Sequence, residues 1–376
     1  MKFTINRAAF IGQLNNVLRA VSSKSTIPIL TGLKLVVDNN EVVLTGSDAD
    51  ISIETTLSGA DGQYQLTVEE PGAIVLPARF FSDIVKKLPD QQVTIAVTDG
   101  FQAQIMSGTA EFVINGQDAN NYPHLPEIDT AASFEVAADL FADVIRQTQI
   151  AVSHQESRPI LTGIHVSLAD GILATDSHRL SQRKVRLENV GERQVDVVIP
   201  GTSLTELSRM IGDVKDPVKI QVTDNQALFV FGNTRFYSRL LEGNYPDTSR
   251  LIPDTSETTV ELDASAFLAA IERASLLSHQ SRNNVVKLTV DPQAGLAKVS
   301  GNSADIGNVE ENIATDRMEG SDLEISFNPD FMGDALKSFG QAKIILSFTT
   351  ALRPFTLVPT EDSDQFVQLI TPVRTY

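Results

Sequence analysis

Cysteine and tryptophan are both absent from the 376 residues. Without cysteine there is no disulfide scaffold, no Cys-ligated zinc, no iron–sulfur cluster and no thiol nucleophile. No apolar run approaches the ~18–20 residues of a membrane span. The start, Met1-Lys2-Phe3-Thr4-Ile5-Asn6-Arg7, lacks the long apolar stretch of a signal peptide, so a cytoplasmic protein is expected. Basic residues are scarce: 30 Lys plus Arg face 48 Asp plus Glu, a net charge of −18. That balance argues against a protein that grips nucleic acid over its whole surface, because such binding depends on cations that neutralise phosphates. A locally neutral or basic face remains compatible with DNA.

Recognisable catalytic chemistry is also missing. There is no Walker loop and no Gly-x-Gly-x-x-Gly turn. None of His124, His154, His165, His178 and His279 pairs with another at the spacing of a helical metal site. Asp48-Ala49-Asp50 opens like a calcium loop but lacks the rest of one, and reads as a turn. Thr175-Asp176-Ser177-His178-Arg179-Leu180 gathers Asp, Ser and His in three consecutive positions. Along an extended chain Ser177 points away from its two neighbours, which excludes a nucleophilic relay. No catalytic group, metal or cofactor is expected.

What is present is a repeat, carried on a chain that is 42% hydrophobic and long enough for two or three domains. Phe3, Phe10, Leu14, Val21, Pro28, Leu30, Thr31 and Gly32 recur 131 positions later as Phe134, Phe141, Ile145, Val152, Pro159, Leu161, Thr162 and Gly163. Val75-Leu76-Pro77 recurs 123 positions on as Val198-Ile199-Pro200, and Asn121-Tyr122-Pro123 as Asn244-Tyr245-Pro246. A weaker third copy carries Phe267, Ile271, Ser281-Arg282 and Ile325-Ser326-Phe327. Three domains follow, 1–128, 129–253 and 254–376, with polar, Pro-containing joints near Pro126–Thr130 and Pro253–Glu257. Within a repeat, helical spacing over Arg7 to Ser22 and Arg79 to Leu88 alternates with period-two strands. Each domain reads as two strand–helix–three-strand units, an α+β chain with six helices. Those helices hold nine basic and seven acidic residues, an excess of two, which leaves −20 on the rest. Helices tolerate Lys and Arg well, so the asymmetry alone decides nothing.

The start Met1-Lys2-Phe3-Thr4-Ile5, the segment Thr26-Ile27-Pro28-Ile29-Leu30, the run Thr175 to Leu180, Asn244-Tyr245-Pro246-Asp247 and the end Pro372-Val373-Arg374 together resemble the bacterial sliding clamp family, the β subunit of the replicative DNA polymerase. The resemblance spans the whole chain. It implies three tandem DNA-clamp domains and a head-to-tail homodimeric ring around duplex DNA, with helices inside and sheets outside. Such a ring tethers the polymerase and confers processivity, with no catalysis of its own. Phe112 and Ile114 on one side and Leu276 and Leu277 on the other match the dimer contact, though a buried-core role fits each of them equally well. Lys24 and Gln155 match positions that touch DNA; for Lys24 a plain solvated charge is the competing reading.

A cleft for short peptides of polymerase, clamp loader, repair proteins and translesion polymerases is implied at Leu161, Thr175, Ser177, His178, Arg179, Leu180, Pro246, Arg250, Leu251, Leu369, Thr371, Pro372, Val373 and Arg374. An apolar floor with a few polar anchors suits an extended peptide. Ser177 stands where some members have Gly, and Thr371 and Val373 near where some have Met. Thr375-Tyr376 extends past the final Arg. A three-domain scaffold for acidic or peptide partners without DNA, and an enzyme with dispersed carboxylates, are the other classes these residues allow.

Overall fold

A computed structural model describes all residues except 99, 126, 127, 129–132, 168–170, 186–194, 282, 283, 375 and 376. Arg282, most of the Pro126–Thr130 joint and the Thr375-Tyr376 tail therefore lie outside the described residues. Six α-helices are described: α1 (Arg7–Val17), α2 (Ala78–Lys87), α3 (Ala138–Thr148), α4 (Gly201–Ile211), α5 (Ala264–Ser278) and α6 (Pro329–Phe339). Side-chain oxygens of Asn6 and Asp263 cap α1 and α5 by accepting from Ala9 N and Ala266 N, the same device at the same point of two repeats.

Contacts divide the chain into two compact units. The first comprises Met1–Ala142 with Glu206–Leu240, and the second Asp143–Arg186, Gln194–Thr205 and Leu241–Tyr376. The reason is sheet sharing. In the first unit an eight-stranded antiparallel sheet runs Ser133–Val136, Val218–Val222, Gln226–Phe231, Thr234–Arg239, Ile51–Ser58, Glu41–Ser47, Gly32–Asp38, Gly72–Pro77, so strands of the first and second repeats form one sheet. In the second unit a nine-stranded sheet joins the second and third repeats where Arg179–Arg183 pairs with Phe366–Ile370. The middle repeat contributes to both sheets, which is why contacts and repeats partition the chain differently.

Each unit also holds a smaller sheet. The five-stranded one runs Thr67–Glu70, Lys2–Asn6, Gln92–Thr98, Gln102–Ser107, Ala110–Asn115. The four-stranded one runs Gly307–Asn312, Leu296–Ser303, Val286–Asp291, Leu323–Phe327. Helices pack over inward-facing strand residues: Phe3, Phe10 and Phe81 meet edge to face at 6.3 and 6.1 Å in the first unit. Phe267, Phe327, Phe348 and Phe355 fill the equivalent core of the second.

Three sequence expectations are corrected. The first helix stops at Val17 rather than Ser22 and tightens into a 3₁₀ turn, Leu18–Ala20. Its last turn lies against Gly46, where a Cβ would sit 2.7 Å from Val17 O. Two strands beyond the expected pattern, Thr67–Glu70 and Arg317–Gly320, add edges to sheets of the first and third repeats. And Thr175 to Leu180 is not extended: the chain leaves its strand after Thr175 and turns through Ser177 at φ +80° before resuming at Arg179.

Candidate functional site

The nine-stranded sheet places Thr175 beside Leu180 and Leu180 beside Leu369 on adjacent strands. Leu173, Leu180 and Leu369 form a buried cluster against which Tyr245 and Ile252 pack. Around this apolar floor the turn is locked by its own side chains. Thr175 Oγ1 donates to Arg179 O at 2.7 Å and accepts from Ser177 N at 3.1 Å. Asp176 Oδ1 accepts from the backbones of His178 and Arg179 at 2.9 and 3.0 Å. The turn is fastened to α6: Arg179 reaches Asp334 at 2.7 Å while its guanidinium lies 4.6 Å from the Phe331 ring, on which His178 also stacks.

The last residues close one side. Thr371 N donates to His178 O and Val373 N to Ser326 O, so the terminal segment runs from the nine-stranded sheet to the edge of the four-stranded one. Ser177 is exposed and accepts from Arg158 at 2.8 Å. Pro246, Arg250 and Leu251 are exposed, Leu251 by 46%, and Thr371, Pro372 and Val373 are half-buried with Arg374 exposed. Leu161 is buried in the 3₁₀ turn Pro159–Thr162 and is not part of the floor cluster. The structure therefore brings most of these residues together. Arg179, His178 and Thr175 are engaged in holding the turn, which leaves exposed Leu251 and half-buried Pro372 and Val373 as the apolar side chains open to a partner, with the Leu floor buried beneath.

Three neighbours escaped the sequence reading. Asp334 lies 155 residues from Arg179, with Phe331 on the same helix, and Tyr245 was legible only within the repeated Asn-Tyr-Pro and the family resemblance. Tyr245 stacks on His165 at 4.9 Å, and its hydroxyl accepts from Thr175 N at 2.9 Å. Burial pushes its phenol up to about 12, opposed by the Thr175 N–H and helped by Asp176. The unfolded phenol ionises near 10.0, so the folded chain holds this proton more tightly. The resulting stabilisation is complete below that pH and disappears as pH climbs toward 12. Tyr245→Phe should lower stability at neutral pH by about 1 kcal/mol, since Thr175 N loses its acceptor. It should also flatten the alkaline fall by about 1–2 kcal/mol. Urea midpoints measured from about pH 8 to about pH 12 check this; parallel wild-type and variant curves would contradict it.

Lys24 and Gln155 are both exposed, and the repeat extends to their turns: Lys24 N donates to Ser22 Oγ at 3.2 Å, Gln155 N to Ser153 Oγ at 3.1 Å. Phe112 is 41% exposed on Ala110–Asn115, the edge strand of its sheet, with Val113 at 59%. Ile114 is 8% exposed, in keeping with the buried-core role that fits it as well as a contact role does. Leu276 is 69% exposed on α5 and Leu277 half-buried. Close by, Arg273 grips Glu311 of the edge strand Gly307–Asn312, at 2.8 Å for one oxygen, and holds that carboxyl below its usual range. Among the described residues no three His, Asp or Glu side chains are grouped to hold a metal. Among the described residues no helix is long and apolar enough to cross a membrane.

Family models of the DNA polymerase III beta subunit match the chain in three consecutive parts: the N-terminal domain over residues 1–126, the central domain over 135–247 and the C-terminal domain over 249–374. The chain is 50% identical over 380 residues to the beta sliding clamp of Bacillus subtilis (strain 168) and 44% identical over 380 residues to that of Staphylococcus epidermidis, with all of each chain covered. The crystal structure of the DNA polymerase sliding clamp from Bacillus subtilis superposes with a TM-score of 0.96 at 49% identity. A sliding clamp from Pseudomonas aeruginosa bound to griselimycin superposes at 0.91 and 26% identity, again over the full length of both.

Proposed function

Because the chain belongs to the family of bacterial DNA polymerase III beta subunits, the beta sliding clamps, we propose that two copies close head to tail into a ring around duplex DNA. The protein is a processivity subunit and not an enzyme; its partners are DNA and the polymerase. The observation that carries the ring is a pair of unfinished edges. Ala110–Asn115 ends one sheet with Phe112 and Val113 exposed, and Gly307–Asn312 ends another beside Leu276. An open sheet edge presents unpaired backbone groups to a second chain, and here one edge carries exposed Phe112 and Val113 and the other is acidic. Two identical contacts of this kind close a two-fold ring.

The six helices then face the DNA. With their observed bounds they carry eight basic and seven acidic residues, so −19 remains elsewhere. Several of those cations are already paired, as Arg146 is with Asp143 and Lys337 with Glu272. A nearly neutral wall holds DNA weakly and lets it slide, while the acidic remainder repels phosphates. Lys24 and Gln155 touch the duplex from their matching turns. The repeats are domains 1–128, 129–253 and 254–376, and the ring works in the cytoplasm.

The Leu floor, Leu251 and the terminal segment receive short apolar peptides from the replicative polymerase, clamp loader, repair proteins and translesion polymerases. Griselimycin bound to the Pseudomonas aeruginosa clamp supports a ligand-binding role for this fold. Primer extension on a long single-primed circle tests the reading. With clamp loader and ATP, product length per polymerase binding event should rise by at least about tenfold, since the polymerase is held by an intramolecular tether. Unchanged lengths would contradict it.

A further inference from the structure

The turn that frames the peptide cleft occurs a second time, at the joint of the first two repeats, where none of the matched residues lies. Ser47 Oγ donates to Ile51 O and accepts from Ala49 N, as Thr175 does with Arg179 and Ser177. Asp48 Oδ1 accepts from Asp50 N and Ile51 N, as Asp176 does from His178 and Arg179. Ala49 has φ +83° where Ser177 has +80°. Arg239 N donates to Asp50 O as Thr371 N does to His178 O. Tyr122 stands in the repeat where Tyr245 does.

Sheet register extends the correspondence to the floor. Across the nine-stranded sheet Thr175, Leu180, Leu369, Thr356 and Ser347 are successive cross-strand partners. Across the eight-stranded sheet the same row is Ser47, Ser52, Tyr237, Leu228 and Gln221. Tyr237, Leu228 and Gln221 line a cavity of about 670 Å³ whose remaining walls include Leu125, Ile128 and Val230.

Three features define what fits. Leu125, Ile128, Leu228 and Val230 supply an apolar lining. Gln221 is only 5% exposed, and its buried Oε1 has no hydrogen-bond partner among the described residues. A buried acceptor left open is unfavourable until a donor arrives, and a peptide N–H is such a donor. Lys219 and Arg235 stand beside the pocket with side chains 57% and 58% exposed; Lys219 lies 3.7 Å from Glu135, and Arg235 lies 3.4 Å from Glu54 and also hydrogen-bonds the Tyr237 side chain.

We infer that this cavity is a second peptide-docking pocket, which takes an extended segment of a partner protein bearing an apolar side chain with an acidic flank. The apolar side chain fills the cavity, its backbone N–H meets Gln221 Oε1 and the acid lies between Lys219 and Arg235. The pocket goes beyond the cleft proposed above and does not depend on it.

Methyl NMR of the full chain with the capped tripeptide acetyl-Asp-Leu-Leu-amide tests this. The methyls of Ile128, Leu228 and Val230 should shift saturably. Val230→Asp should remove the Ile128 and Leu228 shifts, and Gln221→Leu should weaken binding there about tenfold, the ratio expected for one lost hydrogen bond. The unperturbed methyls of each variant report that it is folded. Shifts confined to Leu180, Leu251 and Leu369 would overturn the pocket and leave the cleft standing. Shifts confined to the pocket would support it while counting against the cleft. Absence of shifts in the Ile128 group, or shifts untouched by Val230→Asp, would overturn it.

Discussion

On the proposed ring, the wild-type chain is expected to sediment as a dimer and Leu276→Asp as a folded 40.8 kDa monomer. Leu276 is 69% exposed in the single chain, so its own unit gains little from it. In a closed head-to-tail pair the side chain is buried twice, once at each contact. Full burial of a Leu is worth about 1.5–3 kcal/mol. Two losses therefore weaken the dimer by about 3–6 kcal/mol, or roughly 10²–10⁴-fold in dissociation constant. Desolvating a carboxylate adds to that. Sedimentation equilibrium checks the mass, and the thermal midpoint at high dilution checks that the monomer is intact. Phe112→Asp should act alike from the other side of the contact. An unchanged dimer in both variants would place the contact elsewhere.

Leu251→Glu should reduce polymerase binding by about 10–100-fold, the equivalent of one buried Leu, with no loss of stability. Leu251 is almost half exposed and precedes Ile252, which packs on the floor of Leu173, Leu180 and Leu369. With nearly half of it exposed, an effect on binding without loss of stability marks it as a contact to the partner. Leu180→Ala is the less clean probe. Leu180 is fully buried, and its truncation costs about 2–5 kcal/mol of folding stability whatever it contributes to a partner. Surface plasmon resonance with the polymerase over immobilised clamp measures the first variant. Affinity within twofold of wild type would remove Leu251 from the site.

The repeat was legible because it rests on local chemistry. Pro28-Ile29-Leu30-Thr31 and Pro159-Ile160-Leu161-Thr162 each form a 3₁₀ turn, closed in both cases by a Thr hydroxyl donating to the Pro carbonyl. Six helices were legible from their spacing, and the cleft's Leu floor from resemblance. What was not legible depends on partners distant in sequence. That the repeats share sheets follows from pairings such as Ser52 with Tyr237 and Leu180 with Leu369, which no local pattern encodes. Thr67–Glu70 is mostly exposed and half acidic, so its alternation is too weak to read. The left-handed Ser177 was missed because Thr175 to Leu180 contains no glycine to announce a turn. Ile114 sits two residues from Phe112, on the same face of its strand, yet one is buried and the other open. Both lie on the same edge strand, so what covers each position along the strand decides that, and periodicity does not carry it.

Topological retention on DNA tests the central claim most directly. The clamp is loaded onto a nicked circle with loader and ATP, unbound protein is removed by gel filtration, and the circle is then cut once. A ring held by encirclement stays with the intact circle through moderate salt and leaves when free ends exist. Protein that remains on the linear DNA, or that never stays on the circle, would contradict the account.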